Sequence, residues 1–295
     1  MKTGAFTYDE FTTRNIGFVT EAEQQILNSS SVFVCGTGGM GGAAVLALAR
    51  AGIGRMILAD IDAFETSNLN RQVFAFTNTI GSHKAEATAE QILMINPDID
   101  VEVYKSNWCD TVHDLIRSSA VTVNGTDDLG ASLLLYRVAR EIGRPIIDAY
   151  ASPLPSIYVT RAGEQTPEER LEYPTIDKAW DTLSEEDRAA AFQCEALHVL
   201  IHSSSRHHID LDAAGEVAAG RRSRMSFAPM VITTGMLMAY ETISLLLDRK
   251  TGTDNRGWFF NPYKPAIEKP KPKIVELALR PVVRRMLARM MSEAA

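Results

Sequence analysis

One stretch constrains the chain more than any other. In residues 31–42, SVFVCGTGGMGG, an apolar run from Val32 to Cys35 meets five glycines in seven residues. A short apolar run bounded by glycine reads as a buried strand, and GGAAVLALARAG after it reads as a helix closing at Gly52. A glycine-rich turn between strand and helix lets backbone amides approach phosphate, and the helix N-terminus favours the anion. Gly36, Gly38, Gly39 and Gly41 are therefore candidate nucleotide contacts. Five glycines after a strand are hard to explain as a tight turn alone.

The alternation continues. RMILADID, DVEVYKSN, AVTVNGT and RPIIDAYA read as strands, with SHKAEATAEQILMINP, HDLIRSS and ASLLLYRVAREIG as helices between them. This predicts an α/β fold: a Rossmann-like, doubly wound, mostly parallel sheet with flanking helices. Such sheets bind ligands beyond the carboxyl ends of their strands. Residues 7–30 read as helical. The pattern divides the chain into a nucleotide-binding core with N-terminal helices over 1–160, a polar insertion or crossover over 161–224, a return to the core over 225–262, and a basic tail over 263–295.

Residues 161–224 hold 13 acidic and 8 basic side chains and four of the six histidines, hence the polar reading. After them, a helix starting near Pro229 is apolar nearly all round and should be buried. In the tail, FNPYKPAIEKPKPK reads as an extended Pro- and Lys-rich linker. Val282, Val283, Met286, Leu287, Met290 and Met291 then form a helical stripe, with Arg284, Arg285 and Arg289 largely off it. That predicts an amphipathic helix docked on its own protein or a dimer mate; an anionic membrane, another partner or RNA are alternatives.

Composition narrows the classes. A net charge of −7 argues against wholesale nucleic-acid binding. The three cysteines form no CxxC pair, which excludes a four-cysteine zinc site, so no zinc is expected. MKTGAFTYDEFTTRN has no apolar signal core, and no run of about 18 apolar residues suggests a membrane span. A cytoplasmic enzyme is the expectation.

Asp60 ends the second strand about twenty residues past the loop, where an acid meets a ribose in dinucleotide folds. To that point NAD, FAD and ATP fit equally. The segment DIDAFETSNLNRQ, followed by Lys84, separates them. Asn68, Arg71, Gln72 and Lys84 crowd just past the ribose acid, where an NAD site has little use for them. A triphosphate does: arginine clamps phosphate oxygens in a planar fork, and lysine acts as a movable point charge. No Walker A lysine is present, so the phosphate charge must be met from elsewhere in the chain.

GTGGMGG, DIDAFETSNLNRQ, IGSHKAE, INP and NGTDD occur in an order and spacing that resembles the ThiF/MoeB/HesA superfamily, the bacterial relatives of ubiquitin-activating enzymes. The resemblance covers roughly residues 10–160 and 225–250. It implies an enzyme that adenylates a carboxylate with ATP and magnesium, acting on the C-terminus of a ubiquitin-like or carrier protein, or on a peptide. By matching position, it implies that Gly39 lies against the nucleotide and Asp60 holds the ribose. Asn68, Arg71, Gln72 and Lys84 would line the phosphates, and Asp127 would bind magnesium. Arg14 matches an arginine that family dimers supply to the neighbouring subunit, so a homodimer is implied. The alternatives are a surface arginine for Arg14 and a helix N-cap for Asp127. The chain departs from the pattern in lacking zinc cysteines, in having Ser132 where an arginine is frequent, with Arg137 further on, and in having Asn124 where an acid is common.

CEALHVLIH places Cys194, His198 and His202 on one face of a helix. A metal site, a cysteine that accepts the activated acyl group, and a plain half-buried helix face all fit. The other function readings are a tRNA threonylcarbamoyladenosine dehydratase-like enzyme, which the basic tail permits, and an ATP-binding sensor or scaffold without chemistry. An NAD-dependent redox enzyme is the weakest.

Overall fold

The computed structural model describes residues 6–293. The ends of the segments 1–160 and 263–295, including the first five residues of MKTGAFTYDEFTTRN, lie outside the described residues. Helices α1 (Tyr8–Thr12) and α2 (Glu21–Ser29) precede an alternating series: β1 (Ser31–Cys35), α3 (Gly39–Ala51), β2 (Arg55–Ala59), α4 (Lys84–Leu93), β3 (Asp100–Tyr104), α5 (Trp108–Arg117), β4 (Val121–Asn124), α6 (Leu129–Ile142) and β5 (Ile146–Asp148). Strand β6 (Ser156–Thr160) follows, then α7 (Pro167–Arg170), α8 (Glu185–His202), α9 (Leu211–Ala218) and α10 (Ala228–Leu246). The chain ends through β7 (Trp258–Asn261), β8 (Ala266–Glu268) and α11 (Lys273–Glu293).

The sheet order is β3-β2-β1-β4-β5-β6-β7-β8, parallel through β5 and antiparallel beyond it. The predicted α/β class holds. Strands β1, β2 and β4 are apolar runs because helices cover both of their faces. Alternate residues of β1 feed two cores: Val32 and Val34 pack with Leu48, Met56 and Met238, while Phe33 and Cys35 pack with Ile57, Leu133 and Leu135. Reversal of strand order between β1 and β4 opens a crevice at their carboxyl ends, where ligands of such sheets sit.

Helix α10 lies along α3, so close that a Cβ on Gly235 would meet the Ala43 Cβ at 2.5 Å. Contrary to the expectation of no such run, it is long and apolar enough to cross a membrane, with mean hydropathy 1.2. Its buried face of Val231, Thr234, Gly235 and Met238 instead serves the core.

Three expectations change. Residues 7–30 are not one helix: a 3-10 turn at Thr13–Asn15 and Gly17 at φ +113° break it, and a reciprocal Thr20–Glu23 capping box starts α2 afresh. The Pro- and Lys-rich stretch is not wholly linker, since β8 pairs there with β7, Phe260 opposite Ile267. The last helix begins at Lys273 and runs through Pro281, and Val282, assigned to the apolar stripe, is 60% exposed. Val283 and Leu287 are buried with Leu197 and Ile201, so α11 docks on α8 of its own chain. The middle segment also feeds the core through Leu171, Tyr173, Ala191 and Val199. It is pinned by Arg137, whose Nε and Nη2 grip the buried Glu168 carboxylate at 3.0 and 2.7 Å.

Candidate active site

The glycine loop is held from behind by backbone. Gly36 N donates to Ala59 O at 2.7 Å, and Gly36 has φ +85°. A Cβ there would lie 2.5 Å from Gly125 C and Thr126 N, and one on Gly125 would lie 2.8 Å from Gly41 Cα. Only glycine permits this approach. It sets the NGTDD loop after β4 against the loop after β1.

Asp60, at the end of β2, braces the loop from the other side. Its Oδ2 accepts from Thr37 N at 2.7 Å and from Thr37 Oγ1 at 3.1 Å, and its Oδ1 accepts from Asp62 N at 3.0 Å. A carboxylate has about four acceptor positions, so roughly one stays open for a ribose hydroxyl.

The segment 65–72 forms the flank. Asn68 is buried, and its Oδ1 accepts from Glu65 N at 3.0 Å, which fixes a tight turn. Arg71 Nη1 donates to Ser67 O and Asn70 Oδ1, each at 3.0 Å, and the rest of its fork is unspent. Gln72 is buried against Gly38, where a Cβ would lie 3.3 Å from Gln72 Nε2. Its Oε1 has no hydrogen-bond partner. Lys84 opens α4, buried, with Nζ 2.8 Å from Asp62 Oδ2. Two of its three N–H donors remain for phosphate oxygens. Opposite, a Cβ on Gly39 would lie 2.6 Å from Val231 of α10, and Asn70 Nδ2 donates to Ser226 O at 3.1 Å. The structure thus sets Gly36, Gly38, Gly39, Gly41, Asp60 and Gln72 in one neighbourhood, with Lys84 joined to it through Asp62 and with Asn68 and Arg71 on the segment that carries Gln72.

Asp127 is exposed, with no side-chain hydrogen bond or ion pair among the described residues. The cap of α6 is not Asp127 but Asp128, whose Oδ1 accepts from Ala131 N at 2.7 Å. One residue of register decides this, and it frees Asp127 for a cation. Asp128 Oδ2 pairs with Arg188 of α8 at 2.6 Å, so an arginine reaches the α6 N-terminus from the middle segment. Arg137 is committed to Glu168 instead. Arg14 is exposed in its 3-10 turn and unpaired among the described residues.

Sequence reasoning missed a buried network beneath the NGTDD loop. Asn124 Nδ2 donates to Asp148 Oδ2 at 2.7 Å, Tyr158 donates to the same oxygen at 3.0 Å, and Tyr136 donates to it as well. Burial pushes the Asp148 carboxyl up to about 7 and Tyr136 well above its ordinary value. Asn124 Oδ1 in turn accepts from Thr126 N at 3.2 Å, which ties the network to the loop carrying Asp127. The only sequence signal was an acid inside the buried strand of RPIIDAYA.

Cys194, His198 and His202 do share a face of α8 and line one cavity. Burial pushes the Cys194 thiol up, away from the thiolate a nucleophile needs, and its Sγ–H meets only the Glu172 carbonyl, at 3.8 Å. Among the described residues no group of three or more His, Cys, Asp or Glu is placed to hold a metal ion.

The ThiF family profile matches residues 12–275. The SAMP-activating enzyme E1 of Haloferax volcanii is 39% identical over 126 residues, 41% of this chain and 45% of that protein. The sulfur carrier protein ThiS adenylyltransferase of Escherichia coli is 31% identical over 129 residues, 43% of this chain and 51% of that one. The chain thus spans about half the length of these curated relatives. Among solved structures, Escherichia coli MccB with AMPCPP and MccA superposes with a TM-score of 0.64, covering 90% of this chain and 74% of that one. At 18% identity that likeness speaks to the fold alone.

Proposed function

The chain belongs to the ThiF family, and from that premise we propose that it is an ATP- and magnesium-dependent adenylyltransferase. It activates a substrate carboxylate, the C-terminus of a ubiquitin-like or carrier protein or of a peptide, as an acyl-adenylate. The observation that carries this reading is the packing of the Asp127 loop against the glycine loop through Gly125 and Gly36, with Asp127 unpaired among the described residues and Lys84 held on Asp62, the residue bonded to Asp60. The Gln72 amide beside Gly38 has an Nε2 that can donate to a phosphate laid along that loop.

In this reading the α3 N-terminus and loop amides bind phosphate, with Asp60 bracing the loop and offering its open acceptor to the ribose. A carboxylate oxygen attacks the α-phosphorus in line. The bond to the bridging oxygen breaks, and pyrophosphate leaves with the electron pair. Negative charge grows on the α-phosphate oxygens and the leaving group, where the Arg71 fork and the Lys84 ammonium stand ready. Asn68 and Gln72 orient the phosphates without adding charge. Magnesium, when bound, neutralises phosphate charge, and Asp127 supplies the hard oxygen ligand it needs.

A homodimer belongs to the proposal. Arg14 is unpaired among the described residues of its own chain, and on the same segment Ile16 and Phe18 are 43% and 86% exposed. An apolar rim around a free cation suits a subunit interface at which Arg14 reaches the partner's ATP.

Carboxylate-dependent exchange of pyrophosphate into ATP tests the reaction, beginning with small proteins ending in Gly-Gly encoded near this gene. Exchange that an Asp127→Ala variant sustains at the normal rate would remove Asp127 from the magnesium site.

A further inference from the structure

The face of α8 carrying Cys194, His198 and His202 closes a cavity of about 300 Å³ against the start of α11 and the loop before β7. None of the residues assigned to ATP lines it.

The cavity is cationic. Arg170, Arg256, Lys273 and Arg280 face it against only two carboxylates, Glu172 and Glu276. Both carboxylates are already engaged: Arg280 Nη2 lies 2.7 Å from Glu172, and Lys273 Nζ and Arg256 Nη2 lie 3.3 and 3.7 Å from Glu276. Arg170 makes no ion pair among the described residues, although the Glu195 carboxylate feels its charge. Its Nη2 donates to the Tyr150 hydroxyl at 2.7 Å, and its Nε is buried without a partner. His198 is only 8% exposed, its ring 4.7 Å from that of Tyr150, and its Nε2 is also buried without a partner.

A buried guanidinium N–H without a partner among the described residues, in one space with four cationic side chains against two carboxylates, is costly unless something supplies an acceptor. We propose that this cavity binds a compact multivalent oxyanion, a phosphate or polycarboxylate group. Arg170 Nε, Lys273 and Arg280 hold its oxygens. The volume sits at the small end of ligand pockets, enough for a phosphate ester head or a tricarboxylate. His202 is not a ligand: its Nδ1 accepts from Lys271 N at 3.0 Å, which turns its remaining N–H toward Glu276.

Cys194 lines the same cavity and reports on it. Alkylation of Cys194 by iodoacetamide, followed by peptide mass spectrometry, is compared in phosphate, pyrophosphate and citrate, each against chloride at equal ionic strength. Cys109, partly exposed and outside the cavity, is the internal control. At least one oxyanion should slow Cys194 alkylation saturably, by about fivefold or more, and leave Cys109 unchanged. Lys273→Gln and Arg280→Gln, both at accessible side chains, should each raise the half-protecting concentration by about tenfold, the effect of one lost charge-assisted contact. Whichever anion protects identifies phosphate or carboxylate as the preferred group. Equal rates in chloride and all three oxyanions, or protection that survives both substitutions, would overturn the proposal.

Discussion

Asp60 Oδ2 accepts hydrogen bonds from both the backbone amide and the hydroxyl of Thr37, at 2.7 and 3.1 Å. The acid at the end of β2 thereby shapes the glycine loop before any nucleotide arrives. Thr37→Val keeps the shape and removes one bond, so it should cost about 1 kcal/mol. Asp60→Ala strands a buried amide and should cost about 2–4 kcal/mol. Urea unfolding checks both, and an ATP titration should show weaker binding in the same order.

The backbone contact between Gly36, Gly41 and Gly125 leaves no space for a methyl group. A Cβ on Gly41 would overlap the Gly36 carbonyl oxygen. Gly41→Ala should therefore cost about 3 kcal/mol or more, through backbone rather than a flexible side chain. Gly143→Ala, at positive φ (+78°) but in open space, should cost only about 1 kcal/mol. Melting temperatures of the two variants test the contrast.

Asp148 ties stability to pH. Its folded-state value of about 7 lies above the ordinary 3.8, because burial disfavours the carboxylate. Its contribution is complete below about pH 4, declines as pH rises, and is gone above about pH 7. Asp148→Asn stays neutral and lacks that decline. Between pH 5 and 7 the variant should gain on the parent by up to roughly 1.4 kcal/mol per pH unit. Urea curves at pH 5, 6 and 7 measure this, and a constant gap would refute the assignment.

Arg14 acting across a dimer has a statistical signature. Arg14→Ala and Asp127→Ala should each be nearly inactive alone. Mixed and allowed to exchange subunits, half the dimers are hybrids, each with one intact site, so about a quarter of the parental exchange activity returns. No recovery on mixing, with hybrid dimers shown to be present, would place Arg14 outside the partner's site.

Much of this arrangement could be read in the sequence, and the reasons differ by element. The strands β1, β2 and β4 are apolar runs because they are covered on both faces, and a buried run is visible without context. β8 was hidden in a Pro- and Lys-rich stretch because an edge strand buries little: Ile267 is 49% exposed. The break between α1 and α2 lay in the Thr20–Glu23 capping box, a signal that the run of helix-forming residues around it obscured. The set proposed to line the phosphates was singled out because charged side chains just past a buried strand have few structural uses. The partners that hold them were not: Asp62 on Lys84, Thr37 on Asp60 and Arg188 on Asp128 are contacts made by folding. The network at Asp148 and the cation-lined cavity beside Cys194 join residues far apart in the chain, which no local pattern encodes.

The most direct measurement is equilibrium binding of ATP and of NAD to the same protein, with and without magnesium, in the parent and in Arg71→Ala and Asp127→Ala. The expected result is saturable ATP binding strengthened by magnesium, weakened by about tenfold or more in Arg71→Ala, and no longer responsive to magnesium in Asp127→Ala. NAD should not compete. NAD binding tighter than ATP, or ATP binding indifferent to magnesium and to both substitutions, would contradict an ATP seat on this glycine loop.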